Sequence, residues 1–460
     1  MEQNDTYQHI EIVSSDSMRN WSVGTRLSCD NRYTHAFPHR KIGELLRRDK
    51  TQIDVQDNVK YKRITIRSVG GGVDIRDKKL GKDIGTKKQY VIKAGQFVVS
   101  KIDARNGAFG VVPQLADGAI ITGNFWAFDV DYRLIVPEYL SLLTSTKEFM
   151  QYAESASNGT TNRHYLDETS FLEQEIPLPS VREQSLIVES YDAKMQEAAH
   201  REYLAVIKRG ELYQNILDKL GIKQEDSGLS NIDESQYKHL RFVDIKDVRE
   251  WGYDSIIGAN SSFIQSDKYP NCALGELVWI NPLVDMKNLR AEDEISFIPM
   301  ECISDDYGEW QERRVCIKSK SSGYTKFQDG DLIWAKITPC MQNGKSAIVT
   351  KMVNGVGCGS TEFHVLRGID NRLNMRYLQA ILRLPIVLNN AKKAFTGSSG
   401  QQRVPKTFLE KLVVPLPSMR VQEEIAEMVE SVKYDQKNAR QIAVAMRNDA
   451  KKQFEQIIFN

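Results

Sequence analysis

The residue types in this chain best suited to chemistry lie in short polar runs. Lys101, Arg105 and Asn106 occupy one glycine-terminated loop, and Thr160, Thr161, Asn162 and Arg163 another. A second set repeats the theme with different residues: Lys336, Gln342, Asn343 and Lys345, then Ser398, Ser399, Gln401, Gln402 and Arg403. Arginine meets guanine, and asparagine or glutamine meets adenine, through paired hydrogen bonds at the major-groove edge; lysine, serine and threonine satisfy phosphate oxygens. Such side chains are also what an ordinary solvated loop carries. What distinguishes these loops is a shared framework with dissimilar tips, Ala104-Arg105-Asn106 against Cys340-Met341-Gln342-Asn343. Reading two dissimilar half-sites would require that combination.

Catalytic constellations are not found. Asn343-Gly344-Lys345-Ser346 ends like a phosphate-binding loop, but Pro339 stands where the leading glycine and its amide are needed, so a hairpin tip is the better reading. Gly70-Gly71-Gly72 and the run from Gly355 to Gly359 lack the spacing of a dinucleotide loop and suit turns or bulges. Asn281-Pro282 is followed by Leu283 and Val284, without the aromatic on which a methyltransferase stacks an extruded adenine. The seven histidines show neither zinc-protease spacing nor a triad partner. Six cysteines without a Cys-x-x-Cys pair indicate free thiols, with neither zinc site nor disulfide framework.

The elements that must position these loops occur twice. Ile-Pro-Leu-Pro at 176 to 179 and Val-Pro-Leu-Pro at 414 to 417 each hold an extended lead-in, because proline fixes φ and disfavours helix in the residue before it. Each lead-in passes a glutamine, Gln184 or Gln422, and enters a helix-period pattern: Ile187, Tyr191, Met195, Ala198 onward to Leu220, and Ile425, Met428, Val432 onward to Ile457. Glu202 and Arg209 interrupt the first apolar face. Upstream, Tyr7-Gln8-His9 reappears as Tyr237-Lys238-His239, Trp21 as Trp251, and Lys41 to Leu45 as Ala273 to Leu277, so the chain is a tandem duplication. Tyr61 to Ile66 alternates as a strand, and helices start near Pro137 and Met375. Asn106-Gly107 and Asn343-Gly344 predict short hairpins with return strands at Phe109 to Val112 and Ser346 to Val349. Further strands carry Thr122 to Trp126 and Ser360 to Phe363, and 157–163 and 396–403 read as flexible polar loops.

A length of 460 residues predicts two or three domains. The net charge of +1 excludes a global basic field, so any anion-binding surface must be local. With no apolar leader and no run of about 18 apolar residues, a soluble cytoplasmic protein with no membrane partner is expected.

Taken together, the run Gly95 to Gly107, Thr122-Gly123-Asn124-Phe125-Trp126, Gly359-Ser360-Thr361-Glu362-Phe363 and the two Pro-Leu-Pro endings resemble the DNA specificity subunit of type I restriction-modification systems. The resemblance implies an α+β (mixed α/β) fold: two tandem target recognition domains joined by long helices that form an antiparallel coiled coil. It divides the chain into 1–180, a first recognition domain with an N-terminal extension; 181–221, a central spacer helix; 222–236, a linker; 237–418, a second recognition domain; and 419–460, a C-terminal spacer helix. It also implies partners: double-stranded DNA, two DNA methyltransferase subunits and, through them, restriction ATPase-nuclease subunits. The subunit is itself non-catalytic and carries no cofactor, with S-adenosylmethionine on the partner methyltransferase. A DNA methyltransferase or nuclease with an unrecognised active site, and a scaffold using its coiled coil alone, are the alternatives.

Overall fold

The computed structural model describes residues 33–160, 163–222, 264–398 and 401–460. The Tyr-x-His and Trp repeats at 7–21 and 237–251, the 223–236 stretch, Thr161, Asn162 and Ser399 lie outside the described residues. The chain divides into two compact units, Met1–His200 with Ile442–Asn460, and Arg201–Gln441.

In the first unit, strand His39–Lys41 pairs antiparallel with Glu175–Pro177, the lead-in fixed by the prolines. A four-stranded antiparallel sheet has the order Leu46–Asp49, Phe125–Val130, Phe97–Ser100, Phe109–Val111. Its apolar face meets helices Pro137–Thr144, Lys147–Ser155 and Glu168–Glu173 through Phe97, Phe109, Phe128, Phe149 and Phe171, all buried. Phe109 sits edge-on to Phe149 at 5.5 Å, a preferred aromatic geometry. A five-stranded sheet follows, with Lys60–Ile66 and Val73–Leu80 at one side.

The second unit repeats the frame. Asn271–Ala273 pairs with Val413–Pro415, and the sheet order is Val278–Ile280, Phe363–Gly368, Leu332–Ala335, Ser346–Ile348. Helix Met375–Leu382 stands where Pro137–Thr144 stands in the first unit. Tyr139 donates to the Pro177 carbonyl at 2.9 Å and Tyr377 to the Pro415 carbonyl at 2.8 Å. Burial pushes both phenols well above their ordinary pKa, keeping them protonated donors.

The two long helices are Val181–Leu220 and Met419–Phe459. Ser180 and Glu183 form a capping box at the start of the first: Ser180 N–H donates to the Glu183 carboxylate at 2.8 Å and Glu183 N–H to the Ser180 hydroxyl at 3.3 Å. Its end is a Schellman turn, with Gly221 at φ +63° and Ile222 N–H donating to the Leu217 carbonyl at 2.9 Å. Ile222, the first residue of the 222–236 stretch, is buried and bridges Ser266. Within the first unit the helices meet through Tyr191 and Phe454, and Lys194 pairs with Asp449. Within the second unit Lys208 pairs with Asp435 at 2.9 Å and Lys219 with Glu424 at 2.7 Å. Ascending eleven residues on one helix descends eleven on the other, so the pairing is antiparallel. Arg209, an interruption of the apolar face, reaches Asp306 at 3.7 Å. Among the described residues no helix is long and apolar enough to cross a membrane.

Three local expectations are corrected. The run from Gly355 to Gly359 is a turn only at Gly355, at φ +70°; Val356–Gly359 is a buried strand between Glu294–Ile298 and Thr325–Gln328. The Asn-Gly loops do join antiparallel strand pairs, but not by tight turns: Phe97–Ser100 and Phe109–Val111 are connected through a 3-10 turn at Ala104–Asn106, closed by Gly107 at φ +72°. Gly344 closes its counterpart at φ +70°, and the return strands stop at Val111 and Ile348. Nor is 157–163 a loop: Ser157–Thr160 and Arg163–Leu166 pair antiparallel, Ser157 opposite Leu166. Its polar composition belongs to a two-stranded ribbon whose backbone groups satisfy one another across the ladder.

Candidate nucleic-acid interface

Where the central sheet strand of the first unit ends, the backbone of Lys101 ties three segments together. Its N–H donates to the Asn124 carbonyl at 2.9 Å and its carbonyl accepts from Leu166 N–H at 3.0 Å. The 101–108 loop is thereby flanked by the Thr122-Gly123-Asn124 turn and by the 157–166 ribbon. Lys336 is held in the same way: its N–H donates to the Glu362 carbonyl at 2.9 Å and its carbonyl accepts from Val404 N–H at 2.9 Å. Thr338 N–H reaches the Gln402 carbonyl at 3.0 Å, and single bridges join Ile337 and Thr396 to Arg403. Within each unit, then, the candidate loops converge.

This pairing sharpens the correspondence between the units. Leu166 matches Val404, so Arg163 matches Gln401, and Arg403 matches Tyr165. Asn124 and Glu362 also enter the sites, and sequence reasoning passed over both by reading their segments as strands. The signal was present: Thr-Gly-Asn-Phe and Ser-Thr-Glu-Phe are separated by the same interval as Leu166 and Val404.

The tips differ in chemistry. In the first unit the Lys101 ammonium lies 5.9 Å from the Trp126 ring centroid, and the Arg48 guanidinium covers Phe128 at 5.3 Å. Arg105 is half-buried and makes no ion pair among the described residues, and Asn106 is exposed. Thr160 and Arg163 are placed by backbone pairing to each other. In the second unit Gln342 accepts from the Thr338 hydroxyl at 2.9 Å, exposed Asn343 lies 3.5 Å from the Asp305 carboxylate, and Lys345 donates to the Met300 carbonyl at 3.3 Å. Ser398 and Gln401 are exposed and joined by a 3.0 Å backbone bond, and Gln402 is half-buried. Arg403 forms two parallel hydrogen bonds to Glu362, at 2.9 and 2.8 Å, and a third to the Gln401 carbonyl at 2.8 Å. That guanidinium holds the Glu362 carboxyl below its usual range. Arg403 is therefore built to orient its loop, and reading a base with it would cost the pair. Arg105 has no such engagement among the described residues.

Beneath this site His364 donates from Nε2 to the Val404 carbonyl at 2.9 Å and accepts at Nδ1 from Asn281 at 3.3 Å. Burial lowers its pKa, keeping the ring neutral. Asn281, at φ +56°, also accepts from Val365 N–H at 2.9 Å, which makes the Asn-Pro step a brace of the sheet. No group of His, Cys, Asp or Glu among the described residues could hold a metal ion.

The specificity subunit of the type I restriction enzyme EcoEI from Escherichia coli is 40% identical over 145 residues, 31% of this chain and 24% of that protein. That of EcoAI, also from Escherichia coli, is 40% identical over 153 residues, 33% and 26% of the two chains. The matches thus span about a quarter of the length of these relatives. A solved structure described as underlying complex assembly and conformational transition of the type I R-M system matches with a TM-score of 0.57 at 14% identity, over 93% of this chain and 98% of that one, a likeness of fold. The sequence profile of the type I restriction modification DNA specificity domain matches residues 37–199 and 268–445, well over half of the chain and both repeated frames. The chain belongs to the family of type I restriction modification DNA specificity domains.

Proposed function

We propose that this protein reads a bipartite duplex DNA target and directs partner subunits to it, without catalysis of its own. The observation that carries the reading is the repeated convergence of three segments on Lys101 and on Lys336, one frame presenting two sets of tips. Residues 1–180 and 237–418 serve as recognition domains, 181–221 and 419–460 as spacer helices, and 222–236 as the link between the repeats. The partners are DNA methyltransferase subunits, two in number, which bring S-adenosylmethionine, and restriction ATPase-nuclease subunits reached through them. Recognition follows from hydrogen bonds to base edges at the tips, each good contact supplying about 1–3 kcal/mol, while phosphate contacts orient the protein and set the salt dependence. A net charge of +1 leaves few phosphate contacts to this chain, so tight binding needs the partners.

The test is to incubate DNA and S-adenosylmethionine with the chain alone, with its methyltransferase alone, and with both. Methylation confined to a two-part sequence and requiring both proteins is expected. Methylation or cleavage by the chain alone would establish a catalytic function instead. Unchanged sequence preference after Arg105→Ala and Asn343→Ala would reduce the chain to a scaffold.

A further inference from the structure

The carbonyl groups at the two loop tips are held by different devices. In the first unit Asn106 and Gly107 accept from the N–H groups of Val69 and Gly70 at 2.8 and 3.3 Å. These belong to the Gly70-Gly71-Gly72 turn, whose Gly70 lies at φ +68° and whose added Cβ would come within 2.6 Å of the Ser145 side chain. Ser145 is the C-cap of helix Pro137–Thr144. At the equivalent C-cap of Met375–Leu382 the second unit has Arg383.

Arg383 is 9% exposed and carries no carboxylate partner within bonding distance among its hydrogen bonds. Its guanidinium donates instead to three carbonyls: Gly344 at 2.5 Å, Asp305 at 2.6 Å and Asp306 at 3.1 Å. Gly308, at φ +65°, makes room for it, since a Cβ there would lie 2.9 Å from Nη1. The Asp305 to Glu309 segment is in turn fastened to the long helices inside the same unit. Glu309 pairs with Lys437 at 2.5 Å, and Asp306 with Arg440 at 3.3 Å and Arg209 at 3.7 Å.

We propose that Arg383 is a positioning residue for sequence discrimination: it locks the Gly344 carbonyl of the 336–345 loop to a segment pinned on the helix pair, so that the tip is held in place relative to the helices. This rests on the reading of the loop as a DNA-reading element. A buried guanidinium whose hydrogen bonds all go to carbonyls, with the Asp305 and Asp306 charges nearby offsetting part of its burial, is costly to install unless its geometry is used, and base readout needs placement to about half an ångström. The lysine of a conservative variant offers a point donor where the planar fork spans three acceptors.

The experiment profiles methylation of a randomised DNA library by the complex of the full chain with its methyltransferase. The positions whose preference Asn343→Ala alters define the half-site read by this loop. Arg383→Met is expected to reduce discrimination there by about tenfold, the value of one base contact, with the other half-site unaltered and with partial recovery in Arg383→Lys. Lys437→Ala with Arg440→Ala, at a half-buried and an exposed position of one helix, is expected to weaken the same half-site in the same direction, and this pair decides the question should Arg383→Met fail to fold. Undiminished discrimination at that half-site, or equal loss at both, overturns the role of Arg383. If Asn343→Ala and Gln342→Ala alter no position at all, the reading of the loop is what fails.

Discussion

Gln184 and Gln422 show how a single side chain can hold a frame. Each is fully buried and satisfies three backbone groups. The Gln184 amide accepts from Val136 N–H at 2.8 Å and donates to the Leu134 and Pro179 carbonyls at 3.0 and 2.8 Å. Gln422 accepts from Asn374 N–H and donates to the Arg372 and Pro417 carbonyls in the same pattern. Replacing either by leucine leaves three backbone groups without their partner, one in a buried bond and two in part-buried ones that water can partly recover, at roughly 1–3 kcal/mol for each group left buried. Gln422→Leu should lower stability by about 3 kcal/mol in urea unfolding; a loss under about 0.5 kcal/mol would mean that the network is dispensable. The glutamine was visible in the sequence as part of the Pro-Leu-Pro spacing, but its bonds were not, since they depend on where the chain returns. His364 gives a pH test with a definite sign. Because burial lowers its folded pKa, the unfolded chain takes up a proton near pH 6.5 while the folded one does not. Its contribution is complete above about pH 6.5 and is lost as the pH falls through the lower folded value. His364→Gln should therefore flatten the acid-side decline in stability; equal slopes in the two proteins between about pH 7.5 and 5 would contradict this.

At the level of elements, the long helices were legible because a 3.6-residue apolar period over so many turns leaves few alternatives, and proline and glycine mark their ends. The strands leading into each tip were legible as short continuous apolar runs after a glycine turn, and they are buried along their whole length. The 157–166 ribbon and the 3-10 turn at Ala104–Asn106 were not, because their form depends on backbone bonds to Lys101, Val69 and Gly70, distant in sequence. The candidate tips could be named from residue type, whereas the engagement of Arg403 with Glu362 required the fold. The helix end at Gly221 permits a prediction of size. At φ +63° an alanine is strained, and its Cβ would lie 2.9 Å from that of Lys268, so Gly221→Ala should cost about 1 kcal/mol or more. Lys208→Ala removes an exposed ion pair and should cost under about 1 kcal/mol. Thermal unfolding of the two variants side by side checks the order; a larger loss in Lys208→Ala would reverse the argument.

For the whole molecule, the duplication carries more than the sum of its motifs. Each unit has its own apolar cores, around Phe97, Phe109 and Phe171 in one and around Trp334, Tyr377 and Leu378 in the other, and each takes in a segment of both long helices. A helix advances about 1.5 Å per residue, and duplex DNA about 3.4 Å per base pair. If the helices act as spacers, four residues added to both, after His200 and before Ile442, add about 6 Å along the pair. The insertion falls where the chain passes between the two compact units, so neither core nor either set of tips is altered. Methylation by the assembled complex should then move to sites whose unread gap is longer by at most roughly two base pairs, with both half-sites unchanged. A change in half-site sequence would show that the helices shape the recognition surfaces themselves. An unaltered gap with full activity would show that something other than these helices sets the spacing.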